Sequence, residues 1–214
     1  MVYDNKNIRL IDWGEVFIEN KKNINFNQAL QFNLPFSNSL FNEHFNKWYS
    51  TQILQLKKTS NNLTFYKYKI IAIKWIYYIL ELKGSHFEFI KSIFKNIISQ
   101  EIDNNVVTYT YVIGYISSYI ANIFKKYTNI ASNSINLEKY HNEVYIKNID
   151  IWGFLTSYAD MVFVYNSSPK KFDMSDIDKS ILINKIIDLL MKYLYSNNYS
   201  IKPINTNELI SDLR

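Results

Sequence analysis

Apolar positions recur at helical spacing through the middle of the chain. Residues 63–83 carry the run Ile70-Ile71-Ala72-Ile73-Lys74-Trp75-Ile76-Tyr77-Tyr78-Ile79-Leu80 and stop at Gly84, which predicts one helix. The next helix opens on Ser85 and Glu88, a capping box, and carries Phe87, Ile90, Ile93, Phe94, Ile97 and Ile98. Residues 105–127 are apolar on nearly every face, through Val107, Tyr111, Val112, Tyr115, Ile116, Ile120 and Phe124. Such a helix is buried on more than one side. The β-branched Val106-Val107-Thr108 leaves a strand open at its start.

The flanks are less regular. Residues 1–14 read as a β-hairpin: a short strand to Tyr3, a turn over Asp4-Asn5-Lys6-Asn7, and a second strand, Ile8-Arg9-Leu10-Ile11. Residues 15–37 are Asn-rich and irregular, with Pro35 as a breaker. A helix is expected over 38–56, a loop over 129–136 and a short helix over 137–145. Residues 149–165 are apolar, with small breaks at Gly153 and Ser157. A helix is predicted over 175–195, and a capped last helix follows Pro203. There is no internal repeat.

Composition narrows the chemistry. The 214 residues hold no cysteine, which excludes disulfides, a thiol nucleophile and Cys-ligated metal. Asn, Ile, Lys and Tyr number 27, 32, 22 and 18, against 5 Ala, 4 Gly, 3 Pro and 2 Arg, the signature of AT-rich codons. The net charge of +5 comes from scattered lysines such as Lys57-Lys58 and Lys125-Lys126, so no nucleic-acid partner is expected. Gly14, Gly84, Gly114 and Gly153 lie too far apart for a phosphate-cradling loop, and His44, His86 and His141 lack metal-ligand spacing. The most apolar run is short and carries Lys74, so a buried helix is expected rather than a membrane span. Met1–Lys6 has no apolar leader, and a cytoplasmic location is expected.

The sharpest motif is Ile8-Arg9-Leu10-Ile11-Asp12-Trp13-Gly14, a strand delivering Asp-aromatic-Gly. It resembles the metal-binding motif of protein kinases, in which the Asp reaches Mg²⁺ on the nucleotide phosphates. Downstream, Asn148-Ile149-Asp150-Ile151-Trp152-Gly153 resembles the Asp-x-Trp-Ser/Gly signature opening the large buried helix of the kinase C-lobe. The tail, from Ile186-Ile187-Asp188-Leu189-Leu190-Met191 to Lys202-Pro203, resembles the kinase end pattern, with Lys202 where arginine is usual. The segment Gln31-Phe32-Asn33-Leu34-Pro35-Phe36-Ser37-Asn38 stands in the activation and substrate-docking region, and its form is similar to that of divergent kinases of giant DNA viruses.

The resemblance implies a mainly α, kinase C-lobe-like single domain over 1–214, with a small N-terminal β-hairpin. Residues 1–40 would hold the hairpin, the metal motif and the activation-like segment, 60–130 a helical insertion, and 145–214 the last helices of the lobe. Asp12 is the candidate metal ligand. Trp13, Gly14, Asp150 and Trp152 are structural anchors, Asp150 by accepting hydrogen bonds from the catalytic-loop backbone. Asn33, Pro35 and Ser37 are docking-like. No His-Arg-Asp loop, strand lysine or Gly-rich loop occurs, so no catalytic base is assigned and phosphoryl transfer is not expected of the chain alone. The chain would be a truncated serine/threonine kinase or pseudokinase that takes Mg²⁺ and ATP only with an N-terminal portion supplied. The host cytoplasm or virion would be its location if viral.

Two other readings stand beside it. One is a non-catalytic, kinase-derived helical module that binds a protein partner through aromatic-rich helices. The other is an unrelated helical protein with chance motifs, in which residues 1–14 form no hairpin and Asp150 opens no buried helix.

Overall fold

The computed structural model describes residues 2–4, 7–9, 30–59, 62–82, 86–98, 105–167 and 173–214. These are mainly helical. The expected hairpin is present: β1 (Val2–Asp4) pairs antiparallel with β2 (Asn7–Arg9), Val2 opposite Arg9 and Asp4 opposite Asn7. Asp12, Trp13, Gly14 and Ser85 lie outside the described residues.

The chain then enters the core as a 3-10 turn, Phe36–Phe41, and only afterwards forms α1 (Phe45–Thr59). A helix starting at residue 38 was expected. The 3-10 turn replaces its first part because Asn42 intervenes: its side chain accepts from His44 N at 3.0 Å and its carbonyl accepts from Phe45 N at 3.0 Å. Asparagine competes with helical hydrogen bonding in this way.

Helices α2 (Phe65–Leu82), α3 (Phe87–Ile98) and α4 (Asn105–Tyr127) follow the predicted spans closely, and the start of α4 is helix rather than strand. The pairing of α2 with α4 is the most extensive among the described residues. Helix α4 also meets α3, residues 137–140, the 3-10 turn and residues 197–200, which accounts for its apolar character all round. Its buried side chains include Val112, Ile116, Tyr119, Ile120, Ile123 and Phe124.

The expected loop after α4 holds a minimal hairpin, β3 (Thr128–Asn129) with β4 (Ser134–Ile135), turned at Asn133 with φ 53°. Asparagine tolerates that left-handed backbone. Lys57 of α1 ties the turn down by donating to Ile130 O and to Asn133 Oδ1.

Residues 137–156 form one helical stretch, where two separate segments were expected. Helix α5 (Leu137–Tyr140) passes through a π-helical turn, His141–Tyr145, into α6 (Ile146–Thr156). The wider turn adds a residue and so re-aims the inward face. Tyr140, Val144, Tyr145, Asn148, Trp152 and Leu155 are consequently all buried. Then come α7 (Ala159–Ser167) and α8 (Asp176–Leu189), which is capped by Ser175 and ends in a second π-helical turn, Leu190–Leu194. The last helix, α9 (Thr206–Leu213), is capped by Asn205. Lys192 anchors it with Nζ 2.7 Å from Glu208 and 2.6 Å from Asp212.

All the helical parts contribute to a single apolar core, residues of the 60–130 block among them. No helix among the described residues is long and apolar enough to cross a membrane.

The core is rich in phenols held neutral. Burial pushes Tyr119, Tyr140, Tyr145 and Tyr195 well above the usual tyrosine range. Burial first, and the hydrogen bond to Glu143 second, push Tyr127 up to about 12. A pKa raised by folding means stability that is whole below the unfolded value of 10.0 and is lost as pH climbs through the folded value. Titration above pH 10 should therefore show late phenolate absorbance that coincides with loss of the helical circular dichroism signal. Ionisation of every tyrosine with the helical signal intact would contradict this core.

Candidate functional site

The segment expected to dock substrate is built into the centre of the molecule. Leu30, Pro35, Phe36, Ser37, Asn38, Ser39 and Leu40 are buried, while Asn33 is exposed. Buried backbone outside regular ladders needs partners for its polar groups. Three aromatic side chains from residues 137–156 bond to the segment, one to a backbone carbonyl and two to side chains. Trp152 Nε1 donates to Phe32 O at 3.1 Å. Tyr140 Oη donates to Ser37 Oγ at 2.7 Å, and Tyr145 Oη to Asn38 Oδ1 at 2.6 Å. Within the segment, Asn38 N bonds to Pro35 O and Ser39 Oγ to Phe36 O.

Phe36 is the hub of this arrangement. Its ring lies 5.2 Å from Trp152 and 5.6 Å from Tyr119, both edge-on, and 6.1 Å from Tyr195 in a stacked pose. The docking-like segment, the Trp-Gly motif and the end of the long C-terminal helix thus meet at one ring. Phe32 faces outward against His86 and Phe89. Gly153 lies close below, where a Cβ would come within 3.7 Å of Asn33 O.

Ser37 is fully enclosed, and the phenols around it are kept neutral by burial. Pro35 shapes the buried turn, which leaves Asn33 as the docking-like residue on the surface. No cluster of three or more His, Asp or Glu side chains suited to a metal occurs among the described residues.

Asp150 does not open a helix, because the helical stretch begins thirteen residues earlier at Leu137. Its side chain is exposed and makes no hydrogen bond or ion pair among the described residues. The enclosed polar group on α6 is Asn148. Its Nδ2 donates to Tyr199 O and Lys202 O, both at 3.2 Å, and its Oδ1 accepts from Ile204 N at 2.8 Å. One amide therefore holds the whole approach to α9. Lys202 rests its ammonium 5.2 Å from the Tyr199 ring centroid. Asn148 had a sequence signal: it sits four residues after Val144 and four before Trp152, a polar residue within an apolar stripe.

Two tests of the chance-motif reading point in opposite directions. The N-terminal hairpin forms, and Asp150 fails to begin a helix. Comparison with family models, curated proteins and solved structures produced no match.

The neighbouring positions 148 and 150 give a sharp contrast. Asn148→Ala strands two carbonyls and an N–H and should cost about 3 kcal/mol. Asp150→Ala should stay within about 0.5 kcal/mol of the parent. Urea denaturation of the two variants side by side measures both.

Proposed function

We propose that the chain is a kinase C-lobe-like phosphotransferase body. In this reading Asp12 holds Mg²⁺ against nucleotide phosphates when a nucleotide-cradling portion is supplied, and the chain alone transfers no phosphate. One observation supports it: two of the stretches that bear the resemblance, residues 31–38 and the Trp152-Gly153 pair, meet in space. Residues 31–38 are pinned by Trp152 through Phe32 O and Phe36, and Tyr195, at the end of the C-terminal helical stretch, stacks on the same ring. In this reading Trp152 positions the segment that follows the metal motif. Asn148 does for the tail what an ion pair to the expected arginine would do. The exposed carboxylate of Asp150 is not used.

A second reading, a non-catalytic protein-binding module, is favoured by one surface feature. Ile177 and Ile181 lie four residues apart on α8 and are 74% and 62% exposed, with Met174 exposed just before the helix. Large apolar side chains held in water on one helix face suit a protein contact.

Calorimetric titration with Mg²⁺-ATP separates the two. The chain is measured alone and co-expressed with the polypeptide encoded directly upstream of Met1. The first reading expects binding in the co-expressed sample, weakened at least about tenfold, or ~1.4 kcal/mol, by Asp12→Asn. Binding untouched by Asp12→Asn removes the metal-ligand role. No binding in either sample, with partner capture abolished by Ile177→Ser and Ile181→Ser, replaces the first reading with the second.

A further inference from the structure

Between α1 and α2 lies an open groove of about 380 Å³. Helix α1 lines it with Trp48, Gln52 and Gln55, four and seven residues apart and therefore on one face. Helix α2 answers with Lys74, Tyr78 and Glu81 at the same spacing. A seam between packed helices is ordinarily closed by apolar ridges and grooves. Here Phe45 and Trp75 close the seam beneath, 4.8 Å apart, and the rim above is faced by two amides, an ammonium, a carboxylate and the Tyr77 ring. Lys74 Nζ reaches Gln52 Oε1 only at 3.5 Å, and Gln55 and Glu81 bond to nothing among the described residues.

The apolar part of the lining is aromatic. The rings of Trp48 and Tyr78 are nearly parallel, 19° between planes and 6.4 Å between centroids. Trp75 stands against both, at 5.0 and 5.4 Å. It is fully buried beneath the lining, and its Nε1 has no acceptor among the described residues. A buried donor without a partner is uncommon in a folded protein.

The chemistry of the lining selects its ligand. Its described charges are one cation and one anion, so it sums to zero. A phosphate group would call for an excess of cations or a helix N-terminus. A quaternary ammonium would call for aromatic faces without a lysine among them. A sugar ring is neutral, offers C–H faces that lie flat on aromatic rings, and carries hydroxyls that both donate and accept. Amides, an ammonium and a carboxylate together meet hydroxyls of that kind. The volume falls at the lower end of small-ligand pockets, roughly 300–1,000 Å³.

We propose that the α1–α2 groove binds a neutral carbohydrate of about disaccharide size, stacked on Trp48 and Tyr78 with its hydroxyls on Gln55, Lys74 and Glu81. The proposal is independent of the kinase-like reading.

Tryptophan fluorescence and calorimetry with cellobiose, maltose and N,N′-diacetylchitobiose test it on the whole chain. Saturable binding of at least one sugar is expected, with a Kd on the order of 1 mM. Gln55→Ala and Glu81→Gln replace exposed side chains and should leave the circular dichroism spectrum unchanged. Each should weaken binding about fivefold, the value of one hydrogen bond. Trp48→Ala should abolish it. No saturable binding of any of the three sugars overturns the proposal. So does equal affinity in the Gln55→Ala, Glu81→Gln double variant, or tighter binding of adenosine than of every sugar.

Discussion

The structure depends on a stretch of non-repetitive backbone buried at its centre. Residues 35–40 run through the core as a 3-10 turn whose Ser37 and Asn38 side chains take hydrogen-bond partners from another helical stretch. In an apolar interior each unmet group costs about 1–3 kcal/mol. The surrounding helices are placed to prevent that. Tyr140, Tyr145 and Trp152 come from a single helical stretch and reach Ser37, Asn38 and Phe32 in turn. The π-helical turn at His141–Tyr145 lets both tyrosines and the tryptophan share one face. Tyrosine suits the task because it brings a large apolar body and one hydroxyl at its tip.

Around this centre the aromatic rings form distinct clusters. Phe36 touches Trp152, Tyr119 and Tyr195, and Tyr195 in turn lies 4.6 Å from Phe94 of α3. On the far side, Phe45 joins Tyr49, Trp75 and Phe124. The 60–130 helices are thus cemented to the N-terminal segment and to the C-terminal helices alike. A change at the hub would be felt by every layer, since close-packed interiors pass strain to their neighbours. Polar clamps then fix the periphery: Asn148 the approach to α9, Lys192 the helix itself, and Lys57 the small hairpin.

The long helices were legible because period and length agreed. Residues 65–82, 105–127 and 176–194 each sustain helical spacing over more than three turns, and Ser175 and Asn205 mark starts that the structure uses. The 3-10 turn was not legible, since Phe36–Phe41 is apolar enough to read as a helix start. Nor was the join across residues 145–149, because a π-helical turn shifts the phase of the pattern without breaking the helix. At the site, Trp152 and Asn148 are buried, whereas Asp150 is exposed. An acid two residues from a tryptophan matches a motif, but helix geometry turns it roughly 200° away from that tryptophan's face.

The sequence by itself determined the helical class, the spans of the longest helices and the N-terminal hairpin, because these follow from local periodicity and turn chemistry. Only the tertiary structure decided which residues meet. Ser37 and Tyr140 are 103 positions apart, and Phe32 and Trp152 are 120 apart. Hydrogen bonds and ring contacts over such separations arise from how the helices stack, and no local pattern encodes them.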